Sequence, residues 1–187
     1  MSQDQDIEIR VSGSGGQGLL LSAHILAHAL ILEGRKVAQS QSYEPTSRGG
    51  MSRSDLIVSD GAVDYPLATA LDFLLILDAV ATEASERLIK PGATVLVDAA
   101  RVPSPPKGDF TVHSLPFTDT ARAVGSERAA NMVALGALVE TSRICSRESL
   151  EQAIRTDTPA KFLELNLEAL QKGYNLAPSP AKVAASA

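Results

Sequence analysis

A glycine-rich turn near the start of the chain has the residue types and spacing of an anion-binding site. It reads Gly13-Ser14-Gly15-Gly16-Gln17-Gly18. An alternating apolar run, residues 7–11, precedes the turn, and a long apolar segment, residues 19–32, follows it. A strand, a glycine turn and a helix in this order present free backbone N–H groups at the amino end of the helix, where phosphate or another anion binds. We therefore predict an anion site, with close packing of strand against helix as the alternative explanation of the glycines.

A second glycine-containing segment follows the next predicted strand. Its residues are Ser42-Tyr43-Glu44-Pro45-Thr46-Ser47-Arg48-Gly49-Gly50. Arg48 supplies a fixed cation, and the two glycines supply backbone that can turn its N–H groups toward a phosphate or a carboxylate. The alternative is an arginine that is merely exposed in a loop. The candidate binding residues of this segment are Ser42, Tyr43, Glu44, Arg48, Gly49 and Gly50.

The spacing of Gly13, Gly15 and Gly18 also matches the dinucleotide-binding fingerprint. That fingerprint includes an acidic residue about twenty positions further on, at the end of the second strand, which binds the ribose. The corresponding strand, residues 37–41, contains no acidic residue. The sequence therefore disfavours a self-sufficient dehydrogenase, although a stand-alone nucleotide-binding oxidoreductase remains the main alternative function.

Other polar residues at comparable positions are assigned structural roles. His24 and His28 share one helix face with no acidic residue in register, so a packed or partner-facing pair is favoured over a metal site. Asp78 and Asp98 follow buried strands and are predicted to cap turns, with a catalytic carboxylate pair as the lesser alternative. No residue is assigned a catalytic role, and no metal site is predicted.

The composition fits one α/β domain. The 187 residues are 44% hydrophobic and 21% charged, a composition that disfavours disorder. The net charge of −5 disfavours nucleic acid binding. The one cysteine, Cys145, can neither hold an iron–sulfur cluster alone nor form an intrachain disulfide. Residues 1–6 do not resemble a signal peptide, and no apolar run is long enough to span a bilayer, so a cytoplasmic protein is expected.

The order of predicted elements indicates a mostly parallel, Rossmann-like sheet flanked by helices, with a helical C-terminal third. Strands are predicted at residues 7–12, 36–41, 52–59, 71–77, 94–97 and 110–114, and helices at 17–33, 82–89, 119–124, 128–142, 147–155 and 159–172. Asp60-Gly61 indicates a small antiparallel hairpin that returns along residues 62–65. We assign residues 1–176 to one domain and residues 177–187 to a Pro/Ala-rich tail. Both glycine-containing segments are expected beyond the carboxyl ends of the strands, where such sheets bind ligands.

Four segments together resemble the gamma subunit of the 2-oxoacid:acceptor (ferredoxin) oxidoreductases over about residues 7–176. They are the opening glycine turn, the second segment with Ser52-Arg53-Ser54-Asp55 after it, the helix Asn131-Met132-Val133-Ala134-Leu135-Gly136-Ala137, and residues 166–174. In that helix, Gly136 is expected to let a neighbouring helix approach, and Asn131 to bond a loop backbone. The second segment departs from the family pattern Ser-Tyr-Gly-Pro-Glu-Ala/Ser-Arg-Gly-Gly, because Glu44 replaces the glycine and Thr46 the glutamate. Among the family's subunits, the sequence of this segment resembles the 2-oxoglutarate type most.

The resemblance implies a subunit of a multi-chain enzyme that oxidatively decarboxylates a 2-oxoacid with coenzyme A. The products are acyl-CoA, CO2 and low-potential electrons for ferredoxin or NAD. 2-Oxoglutarate is the favoured substrate, and pyruvate, branched-chain 2-oxoacids and aromatic ones such as phenylglyoxylate are alternatives. The resemblance implies that both glycine-containing segments face the active-site cleft, where Arg48 attracts an anionic group of coenzyme A or of the substrate.

The same resemblance implies which cofactors and partners the chain works with. Thiamine diphosphate with Mg2+ and the iron–sulfur clusters are implied to be held by alpha and beta subunits, with a ferredoxin-like delta subunit as a further partner. The isolated chain is then expected to be inactive, and the apolar residues of 128–142 and 162–170 are candidate partner-facing surfaces. A structural or regulatory subunit whose glycine turn binds nothing is a third alternative.

Overall fold

The computed structural model describes residues 6–44, 49–61, 63 and 67–178. The strands are β1 (Ile7–Ser14), β2 (Lys36–Tyr43), β3 (Met51–Ser59), β4 (Leu71–Ile76), β5 (Ile89–Asp98) and β6 (Thr111–Leu115). The α-helices are α1 (Leu19–Leu32), α2 (Phe117–Val124), α3 (Ala130–Ser142), α4 (Arg147–Asp157) and α5 (Ala160–Leu176). Short 3₁₀ helices occupy Ala79–Ala81, Glu83–Leu88 and Glu127–Ala129. The predicted α/β domain with a helical C-terminal third is confirmed.

The strands form one sheet in the order β2-β3-β1-β4-β5-β6. The neighbours β1 and β4, β4 and β5, and β5 and β6 are parallel, whereas β3 is antiparallel to both β1 and β2. The predicted mostly parallel sheet with an antiparallel part is therefore confirmed. The antiparallel partners differ from the predicted hairpin, because β1 and β2 occupy both edges of β3. Of the predicted return strand, residues 62, 64 and 65 lie outside the described part of the chain.

One face of the sheet packs against the α-helices and carries the larger apolar core. Ile9, Val11 and Leu56 of the central strands lie in this core together with most of α1 and α3. Every residue from Asn131 to Thr141 in α3 is buried, because α2 and α5 pack against that helix. The prediction that residues 128–142 face a partner is therefore wrong, since this chain's own helices cover α3.

Two glycines allow α3 and α5 to cross with their backbones in contact. A Cβ atom added at Gly136 would lie 2.4 Å from the carbonyl oxygen of Leu170. A Cβ atom added at Gly173 would lie 2.0 Å from the carbonyl oxygen of Val133. Both contacts are too short for any side chain larger than hydrogen. The prediction that Gly136 lets a neighbouring helix approach is confirmed, and Gly173 is its counterpart on the other helix.

The opposite face of the sheet is divided into an apolar and a polar half. On β4 and β5 the residues of this face are apolar and form a second core, which includes Leu74, Ile76, Val95 and Val97. On β1 and β3 the same face carries a buried ion pair, in which Arg10 binds Asp55 through Nε at 2.6 Å and through Nη2 at 2.8 Å. The ion pair lies directly across the antiparallel ladder from strand to strand, and Nη1 of Arg10 also donates to the Ser85 hydroxyl at 3.2 Å.

The structure differs from the sequence prediction between β4 and β6. Residues 82–89 were predicted as a helix, and the chain forms 3₁₀ turns there instead. The strand predicted at residues 94–97 is longer in the structure, because β5 begins at Ile89 and runs through Pro91 and Gly92. The strand continues because Gly92 adopts a φ of 80°, which glycine allows at little cost, and its N–H donates to the carbonyl oxygen of Asp109 at 2.7 Å. The pairing of β4 with β5 shifts register at this irregularity.

Candidate functional site

Both glycine-containing segments lie at the same edge of the sheet, which we call the loop edge. β1 ends at Ser14 and continues through the glycine turn into α1. Because β3 is antiparallel to β1, its first residue, Met51, lies opposite Ser14. The two segments contact each other directly, since the N–H of Gly15 donates to the carbonyl oxygen of Gly50 at 2.9 Å. The expectation that they meet beyond the carboxyl end of β1 is confirmed.

The backbone of the glycine turn uses conformations that other residues adopt only with strain. Gly16 has a φ of 91° and Gly18 a φ of 75°, both in the left-handed region that glycine tolerates best. Gly18 occupies the N-cap position of α1 without a side-chain cap. The first N–H groups of any α-helix have no partner within the helix, so the amino end of α1 can donate to an anion at this edge.

Gln17 joins the glycine turn to the end of β4. Its Oε1 accepts a hydrogen bond from the N–H of Ser14 at 2.7 Å, and its Nε2 donates to the carbonyl oxygen of Leu77 at 3.0 Å. Gly13 leaves room for this arrangement, because a Cβ atom there would lie 2.4 Å from Oε1 of Gln17. Both polar ends of the Gln17 side chain are thus engaged within this chain, and the side chain braces the turn.

Asn131 holds the other end of the turn. Its Nδ2 donates to the carbonyl oxygen of Gly18 at 3.1 Å, which confirms the prediction that Asn131 bonds a loop backbone. A Cβ atom at Gly18 would lie 2.5 Å from the same Nδ2. The turn between β1 and α1 is therefore fixed at both ends, by Gln17 to β4 and by Asn131 to α3.

We expect replacement of Gln17 by alanine to lower the free energy of unfolding by about 1–3 kcal/mol, because the buried carbonyl of Leu77 loses its side-chain donor and the Ser14 N–H its acceptor. Urea unfolding of the purified chain measures this. The matched control is Gln152→Ala on an exposed position of α4, expected to change stability by less than about 0.5 kcal/mol. Equal unfolding midpoints for Gln17→Ala and the wild type would contradict the bracing role.

A cleft of about 350 Å3 opens beside the turn on the helical side of the loop edge. Its lining residues are Gly16, Gln17, Leu77, Arg101, Thr118, Glu127, Arg128 and Ala130. Arg101 is engaged by carboxylates, because it contacts Glu127 and approaches Asp78 at 3.5 Å. Arg128 is exposed and forms no ion pair within the described ranges. The cleft therefore combines left-handed glycine backbone with a cation that can meet an anionic ligand.

Glu127 draws two arginines together at the rim of this cleft. Hydrogen bonds from Arg101 and Arg122 hold the pKa of the Glu127 carboxyl below its usual range. Neither Arg101 nor Arg128 is recognisable from the sequence as a site residue, because both lie more than 80 positions after the glycine turn. Only their positions in the sequence point to the site. Arg101 lies shortly after Asp98, which follows a predicted strand, and Arg128 lies shortly before Asn131, where the third family segment begins.

Asp78 and Asp98 both act as turn caps, as predicted. Oδ1 of Asp78 accepts the N–H of Val80 at 3.2 Å. Asp98 is fully buried; its Oδ1 accepts the N–H of Ala100 at 3.0 Å, and its Oδ2 accepts the N–H of Thr118 at 3.2 Å as well as the Thr118 hydroxyl. Asp98 thus fixes the segment after β5 to the start of α2.

The second segment is described only at its two ends. Ser42 and Tyr43 end β2, and Glu44 bonds to Met51 by its N–H at 2.9 Å and by its side chain at 3.3 Å. Gly49 adopts a φ of 82°. Residues 45–48, which include the predicted anion-binding residue Arg48, lie outside the described residues.

The two histidines of α1 meet a carboxylate from another helix. Nδ1 of His28 lies 2.7 Å from Oδ2 of Asp157 in α4, and Nε2 of His24 lies 3.6 Å from the same oxygen. Within the described part of the chain, no three His, Cys, Asp or Glu side chains are placed to hold a metal ion. The two histidines thus share a carboxylate from this chain's own α4, with the His28 side chain 28% exposed and the His24 side chain 61% exposed. Burial raises the pKa of the Cys145 thiol to about 12, so this cysteine is neither a thiolate nucleophile nor a ready ligand.

The residues beside the glycine turn differ from those of a dinucleotide site. In a doubly wound fold the acidic ribose ligand ends a parallel strand next to the first strand. Here the neighbour of β1 on that side is the antiparallel β3, and the residue opposite Ser14 is Met51. The missing carboxylate noted in the sequence thus reflects a different strand order.

The chain is similar to known proteins along nearly its whole length. A sequence profile described as pyruvate ferredoxin/flavodoxin oxidoreductase matches residues 8–176. The 2-oxoglutarate synthase subunit KorC of Methanocaldococcus jannaschii is 40% identical over 174 residues, which cover 91% of this chain and 93% of that protein.

Solved structures share the fold as well. The gamma subunit of a keto/oxoacid ferredoxin oxidoreductase from Geobacter sulfurreducens superposes with a TM-score of 0.84 at 41% identity, covering 92% of this chain and 96% of that chain. A 2-oxoglutarate:ferredoxin oxidoreductase from Magnetococcus marinus, solved with 2-oxoglutarate, coenzyme A and succinyl-CoA bound, has a TM-score of 0.84 at 28% identity. That match covers 97% of this chain and 33% of the other chain.

Proposed function

Because the chain belongs to the pyruvate ferredoxin/flavodoxin oxidoreductase family, we propose that it is the gamma subunit of a coenzyme A-dependent 2-oxoglutarate oxidoreductase. Enzymes of this kind convert the 2-oxoacid to acyl-CoA and CO2 and pass the electrons to ferredoxin or NAD. The observation that carries the choice of 2-oxoglutarate is the 40% identity to a 2-oxoglutarate synthase subunit over 91% of the chain. The similarity extends across both glycine-containing segments, which meet at the loop edge.

The role proposed for this chain is to close one side of the active-site cleft with its loop edge. The proposed anion-binding groups are the turn backbone at Gly16 and Gly18 and the side chain of Arg128. Gly13 and Gly15 belong to the same wall of the cleft, but the N–H of Gly15 is already engaged by the carbonyl oxygen of Gly50. Gln17 braces this backbone from within the chain. Ser42, Tyr43, Glu44, Arg48, Gly49 and Gly50 form the second wall of the proposed cleft.

Coenzyme A supplies the anions that fit this edge. Its diphosphate and 3′-phosphate accept hydrogen bonds from free N–H groups at a helix N-terminus and from arginine. The left-handed turn and the exposed Arg128 offer both kinds of donor around one cleft. The described residues therefore fit a coenzyme A phosphate, and they act by binding and orienting it.

The redox cofactors of such an enzyme do not fit this chain. An iron–sulfur cluster needs several thiolates, whereas the sequence has one cysteine, which is buried and hard to ionise. We propose that alpha and beta subunits hold thiamine diphosphate with Mg2+ and the clusters, with a delta subunit as a further partner. In the described part of the chain no helix is long and apolar enough to cross a membrane, and a cytoplasmic complex is proposed.

The surfaces that meet the other subunits are proposed to include exposed apolar residues of α1 and α5. Leu20 and Ile31 of α1 are 42% and 57% exposed, and Phe162 of α5 is 46% exposed. These replace the buried α3 as candidates for the interface. We further propose that residues 1–176 act as one domain and that residues 177–187 extend beyond it.

The substrate is tested by assaying the assembled complex, purified without oxygen, for coenzyme A-dependent viologen reduction. 2-Oxoglutarate, pyruvate, indolepyruvate and phenylglyoxylate are compared as substrates. The proposal predicts the highest kcat/KM with 2-oxoglutarate. A preference for another 2-oxoacid would contradict the choice of 2-oxoglutarate as substrate. An isolated chain that binds NAD(P) would contradict the proposed function.

We expect Arg48→Ala and Arg128→Ala each to raise the KM for coenzyme A or for the 2-oxoacid about tenfold, because each removes one charge-assisted contact with an anion. Steady-state kinetics of the assembled complex measure both constants. Arg87→Ala is the matched control, an exposed arginine just before Ile89, where β5 begins at the opposite edge of the sheet. Unchanged KM values for both substrates in one variant would remove that arginine from the site.

A further inference from the structure

A second cation lies near the loop edge on the face of the sheet opposite the α-helices. Arg53 of β3 pairs across the ladder with Ser12 of β1 and with Ser42 of β2. Residues directly opposite each other in a ladder point to the same face of the sheet. Asp55, two positions along β3, points to this same face and binds Arg10. Arg53 therefore shares the polar half of this face with the buried ion pair.

The two arginines of this face differ in their partners. Arg10 is 1% exposed and is fully engaged by Asp55 and Ser85. Arg53 is only half-buried, and in the parts of the chain that the structure describes it forms neither an ion pair nor a side-chain hydrogen bond. A half-buried guanidinium without a carboxylate beside it retains its capacity to bind an oxyanion.

The position of Arg53 places it within reach of the junction of the two loops. It lies two residues after Met51, where β3 begins, so its Cα is about 7 Å from the edge at about 3.4 Å per residue. The junction itself is fixed by the Gly15 to Gly50 hydrogen bond. The neighbouring Ser40 and Ser42 of β2 are partly or fully exposed, so this face is open to solvent beside Arg53.

We propose that Arg53 binds an oxyanion of the reactants on this face, opposite the cleft lined by Arg128. The proposal rests on the function proposed above. Two anionic groups of that reaction have the required chemistry, the distal carboxylate of a dicarboxylic 2-oxoacid and a phosphate of coenzyme A. A carboxylate and a phosphate both match the planar fork of a guanidinium, and the distal carboxylate is the group that distinguishes 2-oxoglutarate from monocarboxylic 2-oxoacids.

The test compares Arg53→Gln with the wild type in the assembled complex. KM is measured for 2-oxoglutarate, for 2-oxobutyrate, which lacks the distal carboxylate, and for coenzyme A. An increase of about tenfold or more for 2-oxoglutarate alone assigns the carboxylate to Arg53. A similar increase for coenzyme A with either 2-oxoacid assigns a phosphate instead.

The matched control is Lys36→Gln, which removes a cation from the same face at the far end of β2 and is expected to leave every KM unchanged. Arg53→Lys keeps the charge but not the fork, so a smaller increase in the same KM is expected; this variant decides the result if Arg53→Gln does not assemble. Unchanged KM values in an active Arg53 variant would overturn this inference but not the proposed function. A wild-type complex that oxidises no 2-oxoacid would overturn the proposed function and this inference with it.

Discussion

Replacing Asp55 with alanine is expected to lower the free energy of unfolding by about 3–5 kcal/mol, because it leaves the buried charge of Arg10 without its partner. Arg10 is 1% exposed and Asp55 3% exposed, and their side chains make two hydrogen bonds of 2.6 and 2.8 Å. Ser85 supplies one further neutral contact, which cannot compensate a desolvated guanidinium. Chemical denaturation of the purified chain measures the loss.

The double variant Arg10→Met with Asp55→Leu separates the cost of an unpaired charge from the value of the pair. Replacing both partners with apolar residues of similar volume is often neutral or stabilising, so we expect the double variant to recover most of the lost stability. Asp60→Ala is the matched control, because Asp60 pairs with Arg35 at 2.6 Å but is 61% exposed. A pair this exposed contributes about 1 kcal/mol or less. Equal losses for Asp55→Ala and Asp60→Ala would contradict this account.

Replacing Gly173 with alanine is expected to destabilise the protein by about 3 kcal/mol, the upper end of the range for overpacking. The added Cβ would lie 2.0 Å from the carbonyl oxygen of Val133 and 3.1 Å from the N atom of Ala137. Both contacts are with backbone, so α3 and α5 must separate before the methyl group fits. Helix propensity favours alanine over glycine by about 1 kcal/mol, but the lost packing between the two helices outweighs that gain.

The matched control for this prediction is Gly61→Ala. A Cβ atom at Gly61 would meet the Ser59 hydroxyl at 3.7 Å, an ordinary contact, so we expect a change of less than about 1 kcal/mol. Melting temperature and soluble yield are measured for both variants. If Gly173→Ala melts at or above the wild-type temperature, the close crossing of α3 and α5 is contradicted.

The sequence predicted well what depends on neighbours along the chain. The glycine turn was recognised because its strand, its glycines and its helix are contiguous, and the same holds for the caps at Asp78 and Asp98. The antiparallel partners of β3 were not predicted, because Asp60-Gly61 is a strong local turn signal while the actual pairing joins β3 to β1 over more than 40 positions (Arg10 with Asp55). Strand order depends on such long-range contacts, which no local pattern encodes.

The same contrast between local patterns and long-range contacts applies to the candidate site. Gln17 was predicted as a cleft residue, but its bonds to Ser14 and Leu77 depend on where β4 ends relative to β1. Arg128 was missed because a lone arginine before a helix has no distinguishing local pattern. The error about residues 128–142 has a related cause: a helix that is apolar on every side indicates burial, and only the fold shows that α5 rather than another subunit covers it.

The proposed function requires the loop edge of this chain to form a wall of the active-site cleft and to bind coenzyme A. The most direct measurement is a structure of the assembled complex with coenzyme A bound, determined without oxygen. We expect a phosphate of coenzyme A within hydrogen-bonding distance of the turn at Gly16 or of Arg128. A complex in which the loop edge faces solvent, or in which coenzyme A binds without contacting it, would contradict the claim.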